Sequence, residues 1–345
     1  MTTNFRGWTA LITDALAGRD LDESDAATAM ATILDGDATP AQIAGFLVAM
    51  KSKGVVATEL VGMLDAALAA SPVVPLSDDE RSRAIDVVGT GGDGSHSINV
   101  STMAALVAAG AGVPICKHGN RSASSKCGTA DVLETLGLNI ELRPEQVAAS
   151  VREAGFGFCF APAFHPAFRH AGPPRRELGI PTAFNLIGPM ANPGRVQRQV
   201  IGVADPGVAR SMLEALAERG LRSAWIVHGS GLDEITTTGP TEVLSLHAGT
   251  ITAFTIEPAA LGIPLVTADQ LRGGDREENA EVVRRVLGGE HGPHRDVVVL
   301  NAAAALVVAG VAEDLPEAMT SAAAAIDDGR ALHTLDAAVR VSHRA

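Results

Sequence analysis

Gly89, Gly91, Gly92 and Gly94 lie within six residues of one another, after the β-prone run 84–88 and ahead of Asn99, Val100, Ser101 and Thr102, where an apolar, alanine-rich run begins. Strand, glycine loop and helix start is an anion-binding arrangement. Glycines let the backbone approach closely, and the unpaired N–H groups of a first helical turn point at the anion. An ordinary strand-to-helix turn is the plainer alternative, but the glycine density and the polar side chains of Asn99, Ser101 and Thr102 favour a site. Gly89, Gly91 and Gly94 satisfy the dinucleotide pattern literally, yet that pattern needs an acid about 20 positions on for the ribose. No acid stands between Gly94 and Asp131. A Walker loop would place Lys and then Ser or Thr where Ser95 and His96 stand. Asp93 is a carboxylate inside this loop and would repel a phosphate unless a metal ion or a ligand hydroxyl lies between. The combination points to a sugar phosphate with magnesium.

A second loop, KHGNRSASSKCG at 117–128, carries Lys117, Arg121, Lys126, Asn120 and several serines and contains no acid. It follows a predicted strand, where α/β sheets bind ligands, and its cations suit a polyphosphate. A solvated basic loop is the alternative, set against the acidity of the chain as a whole. Asp233 and Glu234 follow another predicted strand. Alone they would read as surface decoration; beside phosphate loops at the same sheet end they read as Mg²⁺ ligands, with Ser101 offering a further oxygen. His118, His165 and His170 lack a zinc spacing. The Pro- and Gly-punctuated run 172–194 presents Arg175 and Arg176 just inside a short helix. One of them suits bidentate recognition of a carboxylate, unless both pair with Glu177 or solvent. No nucleophile motif is present.

These residues need a scaffold, and 345 residues with 46% hydrophobic content can build a sizeable core. A net charge of −13 argues against nucleic-acid or anionic-membrane surfaces. Three cysteines without metal spacing suit reduced, core-filling thiols, and no export signal is visible at the start, so a cytoplasmic protein is expected. Residues 1–72 read as four short helices. Leu11, Ile12 and Leu16 form one apolar face, Asp22 to Asp25 cap the second helix, Thr39 and Pro40 open the third, and Leu60, Met63, Leu64 and Leu68 line the fourth. These generous faces imply burial against the large domain or a second subunit. A charged connector, 71–83, leads into alternating strands and helices, hence an α/β domain over 73–345 with a mostly parallel central sheet flanked by helices. Antiparallel strands are expected within 235–255, and helices over 276–287 and 297–312.

Together, GTGGD, the turn at Asn99 to Thr102, KHGNR, SSKCGTADVLE, FAPAFHPA, RELGIPTAFNLIGPMANP and the Asp-Glu pair resemble the anthranilate phosphoribosyltransferases in order and spacing, over the whole chain. KHGNR and the glycine loop are shared with pyrimidine nucleoside phosphorylases of related fold. The resemblance implies that phosphoribosyl pyrophosphate is bound by Gly89, Gly92, Asp93, Ser97, Asn99, Val100, Ser101, Thr102, Lys117, His118, Gly119, Asn120, Arg121, Ser122, Ala123, Ser124, Ser125 and Thr129. It further implies that Ser101, Asp233 and Glu234 hold Mg²⁺, and that Asn120, His165 and Arg175 handle anthranilate. Phe168 stands where Met or Tyr is frequent. The family implies a homodimer formed through the helical domain, with helices of the 165–190 region packing on it, and small-molecule substrates; neither nucleic acid nor membrane is expected as a partner. A nucleoside phosphorylase would not need the Asp233–Glu234 pair, and a nucleic-acid-binding relative would need a basic surface.

Overall fold

A computed structural model describes residues 5–122 and 126–344. Four helices come first: α1 (Trp8–Leu16), α2 (Glu23–Asp35), α3 (Pro40–Lys53) and α4 (Ala57–Ala69). Their starts follow local chemistry. The Asp22 carboxylate accepts from the Asp25 amide at 2.7 Å, and Thr39 forms a capping box with Gln42 ahead of Pro40. Leu60, Met63, Leu64 and Leu68 are buried as the periodicity predicts, but Leu16 is 67% exposed. On α1 the inward face is Trp8, Leu11 and Ala15, and Leu16, one residue past Ala15, lies about 100° around the helix from it.

The connector contains a helix that its charge concealed, α5 (Asp78–Arg83), started by a capping box between Ser77 and Glu80. Beyond it lie β1 (Ile85–Gly89), α6 (Val100–Gly110), β2 (Ile115–Gly119), α7 (Thr129–Thr135), α8 (Pro144–Ala154) and β3 (Phe156–Phe160). A crossing segment with α9 (Ala161–Phe164), α10 (Gly172–Leu178) and α11 (Ala183–Met190) then leads to β4 (Arg198–Gly202), α12 (Ala209–Glu218) and β5 (Ser223–His228). The hairpin β6 (Thr241–His247) and β7 (Thr250–Ile256) is antiparallel, as expected. Helices α13 (Arg276–Leu287), α14 (Pro293–Ala309), α15 (Leu315–Asp327) and α16 (Arg330–Ser342) close the chain, the last two not anticipated from sequence.

Among the described residues the strands form one sheet in the order β3-β2-β1-β4-β5-β6-β7, parallel through β5. The chain leaves β1 for β2 and β3 on one side and returns to β4 on the other. The strand order therefore reverses at β1, and α/β sheets of this kind bind ligands outside the carboxyl ends of the strands flanking such a reversal.

Alternation along the strands divides the core. Val87, Val200, Trp225 and Val227 face α6 and the C-terminal helices. Val88, Ile201, Ala224 and Ile226 face the other way, into a cluster shared with Leu11, Phe46, Leu60 and Leu64 of the first helices and Phe184 and Leu213 of α11 and α12. The helical unit thus buries apolar surface directly against the sheet layer. Pro166–Ala171 packs on α2, α10 on α3 and α11 on α4. On the opposite side α6 is enclosed by α14, α15 and α16, so its first turn is held rigidly at the sheet end.

The Glu59 side chain on α4 is fully buried and accepts from the amides of Leu21 at 2.8 Å and Val56 at 3.0 Å and from Lys53 Nζ at 3.0 Å. Glu59→Ala strands two amides in the interior and removes one of the two carboxylates that meet Lys53, which keeps Asp20 and the Gly54 carbonyl at 2.7 Å each. It should destabilise the chain by roughly 3 kcal/mol, the low end for breaking a buried pair, read by equilibrium urea unfolding. A loss under about 1 kcal/mol, the range of exposed pairs, would refute this account.

Candidate active site

Gly89 and Gly202 are register partners at the ends of β1 and β4. A side chain on Gly89 would overlap the Asp233 carboxylate, and one on Gly202 would overlap the Asp233 carbonyl. The segment carrying Asp233 and Glu234 therefore lies directly over the ends of these strands. Gly91 donates its amide to Asp233 Oδ2 at 2.6 Å, and Ser101, in the first turn of α6, donates its amide to Glu234 Oε1 at 3.1 Å. The Asn99 side chain does not cap α6, so a carboxylate from a distant loop occupies the anion position there. Asp93 accepts from the amides of Ser95 at 3.0 Å and Asp233 at 3.4 Å, joining the glycine loop to the same segment. Gly92 is exposed on this loop with φ 84°, a backbone state glycine adopts freely.

The two loops read as phosphate-binding are tied to each other. Asn99 Nδ2 donates to the Cys127 carbonyl at 3.3 Å, and the Thr102 and Thr129 hydroxyls lie 3.2 Å apart. Ser97 bridges to Arg272 in antiparallel fashion, and the Val100 side chain is buried in the core. From β2, the Lys117 side chain is buried; its Nζ donates to the Val87 carbonyl and lies 3.4 Å from Ser101 Oγ. Gly119 ends β2, and Asn120 is exposed with its Oδ1 accepting from the Arg121 amide at 2.7 Å. Arg121 pairs with Asp131 at 2.9 Å and Glu134 at 2.8 Å, acids of α7, and the Asp131 carboxylate also accepts from the amides of Ser122 and Gly128. The loop lacks acids in sequence, but α7 supplies them in space. Ala123, Ser124 and Ser125 lie outside the described residues.

Electrostatics single out the sheet end. Burial raises the Asp233 carboxyl well above its ordinary range, with Glu234 and Asp93 adding repulsion. Burial pushes Glu234 up to about 7 despite the pull of Lys117, and lowers Lys117 against the attraction of Asp86, Glu234 and Asp233. Asp86, inside β1, is pushed up to about 6 by burial. Its carboxylate accepts from the His118 amide at 3.1 Å and from Asn192 Nδ2 at 2.7 Å. Neither Asp86 nor Asn192 was singled out by sequence, although an acid within an apolar strand was a visible signal. Among the described residues no cluster of three His, Cys, Asp or Glu side chains forms a ready-made metal cage. Even so, adjacent half-buried carboxylates whose charge is offset chiefly by one lysine fit a hard divalent ion that draws its other oxygens from substrate and water.

The crossing segment adds a file of rings. His118 and His165 have centroids 4.9 Å apart, His165 and Phe168 4.8 Å, and Phe168 meets Phe184 edge-on at 5.1 Å. The Arg175 guanidinium lies 5.0 Å over the Phe184 ring and reaches Asn185 Oδ1 only at 3.5 Å. Of the two arginines, Arg175 is partly buried and lies over Phe184, and Arg176 is exposed. Sequence reasoning did not single out Phe184, although it lies within the quoted run and within the 165–190 region where helices were expected.

This architecture defines a class: a helical bundle joined to an α/β domain whose switch point carries a glycine loop and a basic loop beside a file of aromatic rings. Residues 81–332 match the glycosyl transferase family a/b domain, and residues 9–71 match the helical bundle domain of that family. An anthranilate phosphoribosyltransferase of Saccharopolyspora erythraea is 52% identical, with 97% of this chain and 96% of that protein aligned. The crystal structure of the anthranilate phosphoribosyltransferase from Thermus thermophilus superposes with a TM-score of 0.90 at 39% identity, covering 97% of this chain and 99% of that one. The Saccharomyces cerevisiae enzyme superposes with a TM-score of 0.87 at 28% identity over 97% of both chains. It was solved with PRPP and Mg and, separately, with 4-fluoroanthranilate. The chain belongs to the anthranilate phosphoribosyltransferase family.

Burial pulls the His165 imidazole down to about 4. The unfolded chain therefore binds more protons between about pH 6.5 and 4, and stability present above pH 6.5 is lost as pH falls through that window. Wild type should lose on the order of 3 kcal/mol there that His165→Asn does not lose. Chemical denaturation at pH 7 and pH 4 compares the two, and parallel losses would refute the assignment.

Proposed function

We propose that this chain transfers the phosphoribosyl group of 5-phospho-α-D-ribose 1-diphosphate to the amine of anthranilate. The products are N-(5-phosphoribosyl)anthranilate and diphosphate, and the reaction is the second step of tryptophan biosynthesis from chorismate. The observation that carries the reading is the continuity of the ring file. It runs from His118, on the strand that opens the basic loop, to a partly buried guanidinium at Arg175, so an aromatic acid and a sugar phosphate would meet at one sheet end.

The reaction breaks the bond between ribose C1 and the diphosphate oxygen, forms a C1–N bond and releases a proton from the amine, through a transition state of oxocarbenium character. No covalent nucleophile is required of the protein. The glycine-loop amides and Lys117 bind and orient the phosphates, using a charge that burial has already stripped of water. Ser101, Asp233 and Glu234 would hold Mg²⁺, and the oxygen donors present fit it. Bound there, the ion supplies charge neutralisation to the departing diphosphate. His165 and Asn120 would line the acceptor slot and Arg175 would receive the carboxylate. We assign a cytoplasmic homodimer assembled through the helical unit. The dimer is supported by Leu16 and Val48, which stand exposed on α1 and α3; among the described residues no helix is long and apolar enough to cross a membrane.

Loss of anthranilate fluorescence on mixing with phosphoribosyl pyrophosphate and Mg²⁺ tests the activity. Arg175→Ala should weaken anthranilate use by roughly 2 to 4 kcal/mol, the scale for truncating a desolvated charge partner, and leave phosphoribosyl pyrophosphate binding unchanged by calorimetry. Equal losses for both substrates would assign Arg175 a structural role. Asp233→Asn combined with Glu234→Gln should keep the circular dichroism spectrum and nearly abolish Mg²⁺-dependent turnover. Wild-type rates in that double variant would overturn the metal assignment.

A further inference from the structure

His118 and His165 each bury an imidazole whose Nε2 has no hydrogen-bond partner among the described residues. Their proton positions follow from their other nitrogens. His118 Nδ1 lies 3.1 Å from the Gly188 carbonyl, which can only accept, so Nδ1 carries the proton and Nε2 is a bare acceptor. His165 Nδ1 lies 2.6 Å from Ser71 Oγ, and a hydroxyl could play either part. Ser71, however, has one proton, and its Oγ lies 2.6 Å from the Ala67 carbonyl, which must take it. The hydroxyl therefore accepts from His165 Nδ1–H; the Ala191 carbonyl also lies near this ring, but no hydrogen bond reaches Nε2, which is left as an acceptor.

The two imidazoles are held by different means. His118 is fixed by main chain, whereas the state of His165 rests on one side chain at the end of the helical unit. The stretch after α4 is anchored to the turn before β4: the Val74 amide donates to the Pro193 carbonyl at 3.1 Å, and Arg195 donates to the Leu68 carbonyl. Ser71 is thus placed by both parts of the molecule. With both Nε2 atoms bare, the slot offers two acceptors and repels a carboxylate. An ortho-aminobenzoate then turns its N–H groups toward the imidazoles and its carboxylate toward Arg175.

We infer that Ser71 is a positioning residue, whose hydroxyl holds His165 in the Nδ1–H tautomer so that the acceptor slot receives the amine end of its substrate. This rests on the activity proposed above, and the test separates the two. Long-range ¹H–¹⁵N NMR of the ligand-free protein reads the tautomer without substrate, His165 being assigned by its absence in His165→Asn. Wild type should show the proton on Nδ1, Ser71→Ala should populate the other tautomer, and Ser71→Thr, which keeps the hydroxyl, should restore the first. In steady-state assays Ser71→Ala should raise the KM for anthranilate about tenfold, the scale of one lost hydrogen bond, while the KM for phosphoribosyl pyrophosphate holds and Ser71→Thr recovers most of the effect. An unchanged tautomer in Ser71→Ala, or a shifted tautomer with unchanged anthranilate KM, overturns the inference. So does an equal rise in both KM values, which would mean general loosening. A wild-type protein inactive toward anthranilate would overturn the activity instead, with the tautomer measurement still deciding the role of Ser71.

Discussion

The structure depends on the close approach of one loop to the ends of two strands. Gly89 and Gly202 leave no side chain where β1 and β4 finish, and the Asp233 backbone and carboxylate fill that space. Any larger residue at either position would push the loop off the sheet, because interiors packed at crystal-like density do not yield by an ångström without cost. The approach lets Glu234 reach the first-turn amide of α6 and Asp233 reach the Gly91 amide. The glycine loop, the central helix and the acidic loop are therefore one rigid assembly.

Its electrostatics are unbalanced by construction. Asp86 is buried and Asp233 and Glu234 are half-buried around a single buried ammonium, Lys117, and each of the three carboxyls is driven toward its neutral form. Burying charge without enough counter-charge is costly, and natural sites keep such arrangements where a ligand completes them. Asp86 is partly satisfied by the His118 amide and Asn192, which also bonds the Cys116 carbonyl and so fastens the crossing segment to the sheet. The other two carboxyls face the loops.

The crossing segment sets the ring file apart from the glycine and basic loops. It runs from the edge of the sheet back over β1 and brings His165, Phe168, Arg175 and Phe184 into one file with His118, and it packs at the same time on the first helices. The helical unit is consequently part of the site's support, through α2, α3, α4 and the hydroxyl of Ser71.

Sequence by itself determined the parts whose signal is local. The capped helices at Asp22 and Thr39, the alternating strands and helices from residue 85 and the glycine loop are written in residues that are neighbours in the chain, and so is the adjacent Asp233 and Glu234. The family motifs were legible for the same reason. Tertiary structure alone decided the relations between distant segments. Arg121 stood in an acid-free loop, yet Asp131 and Glu134 meet it from α7 because a helix turns its side chains back over the preceding loop. Arg175 and Arg176 are adjacent in sequence, but the turn of α10 directs only one toward Phe184. The α6 amide expected to meet a phosphate meets Glu234, and a serine of the connector sets the proton of a histidine 94 positions away. Such contacts carry no periodicity or spacing, because hydrogen bonds and burial act on distance in space, which the order of residues along the chain does not specify.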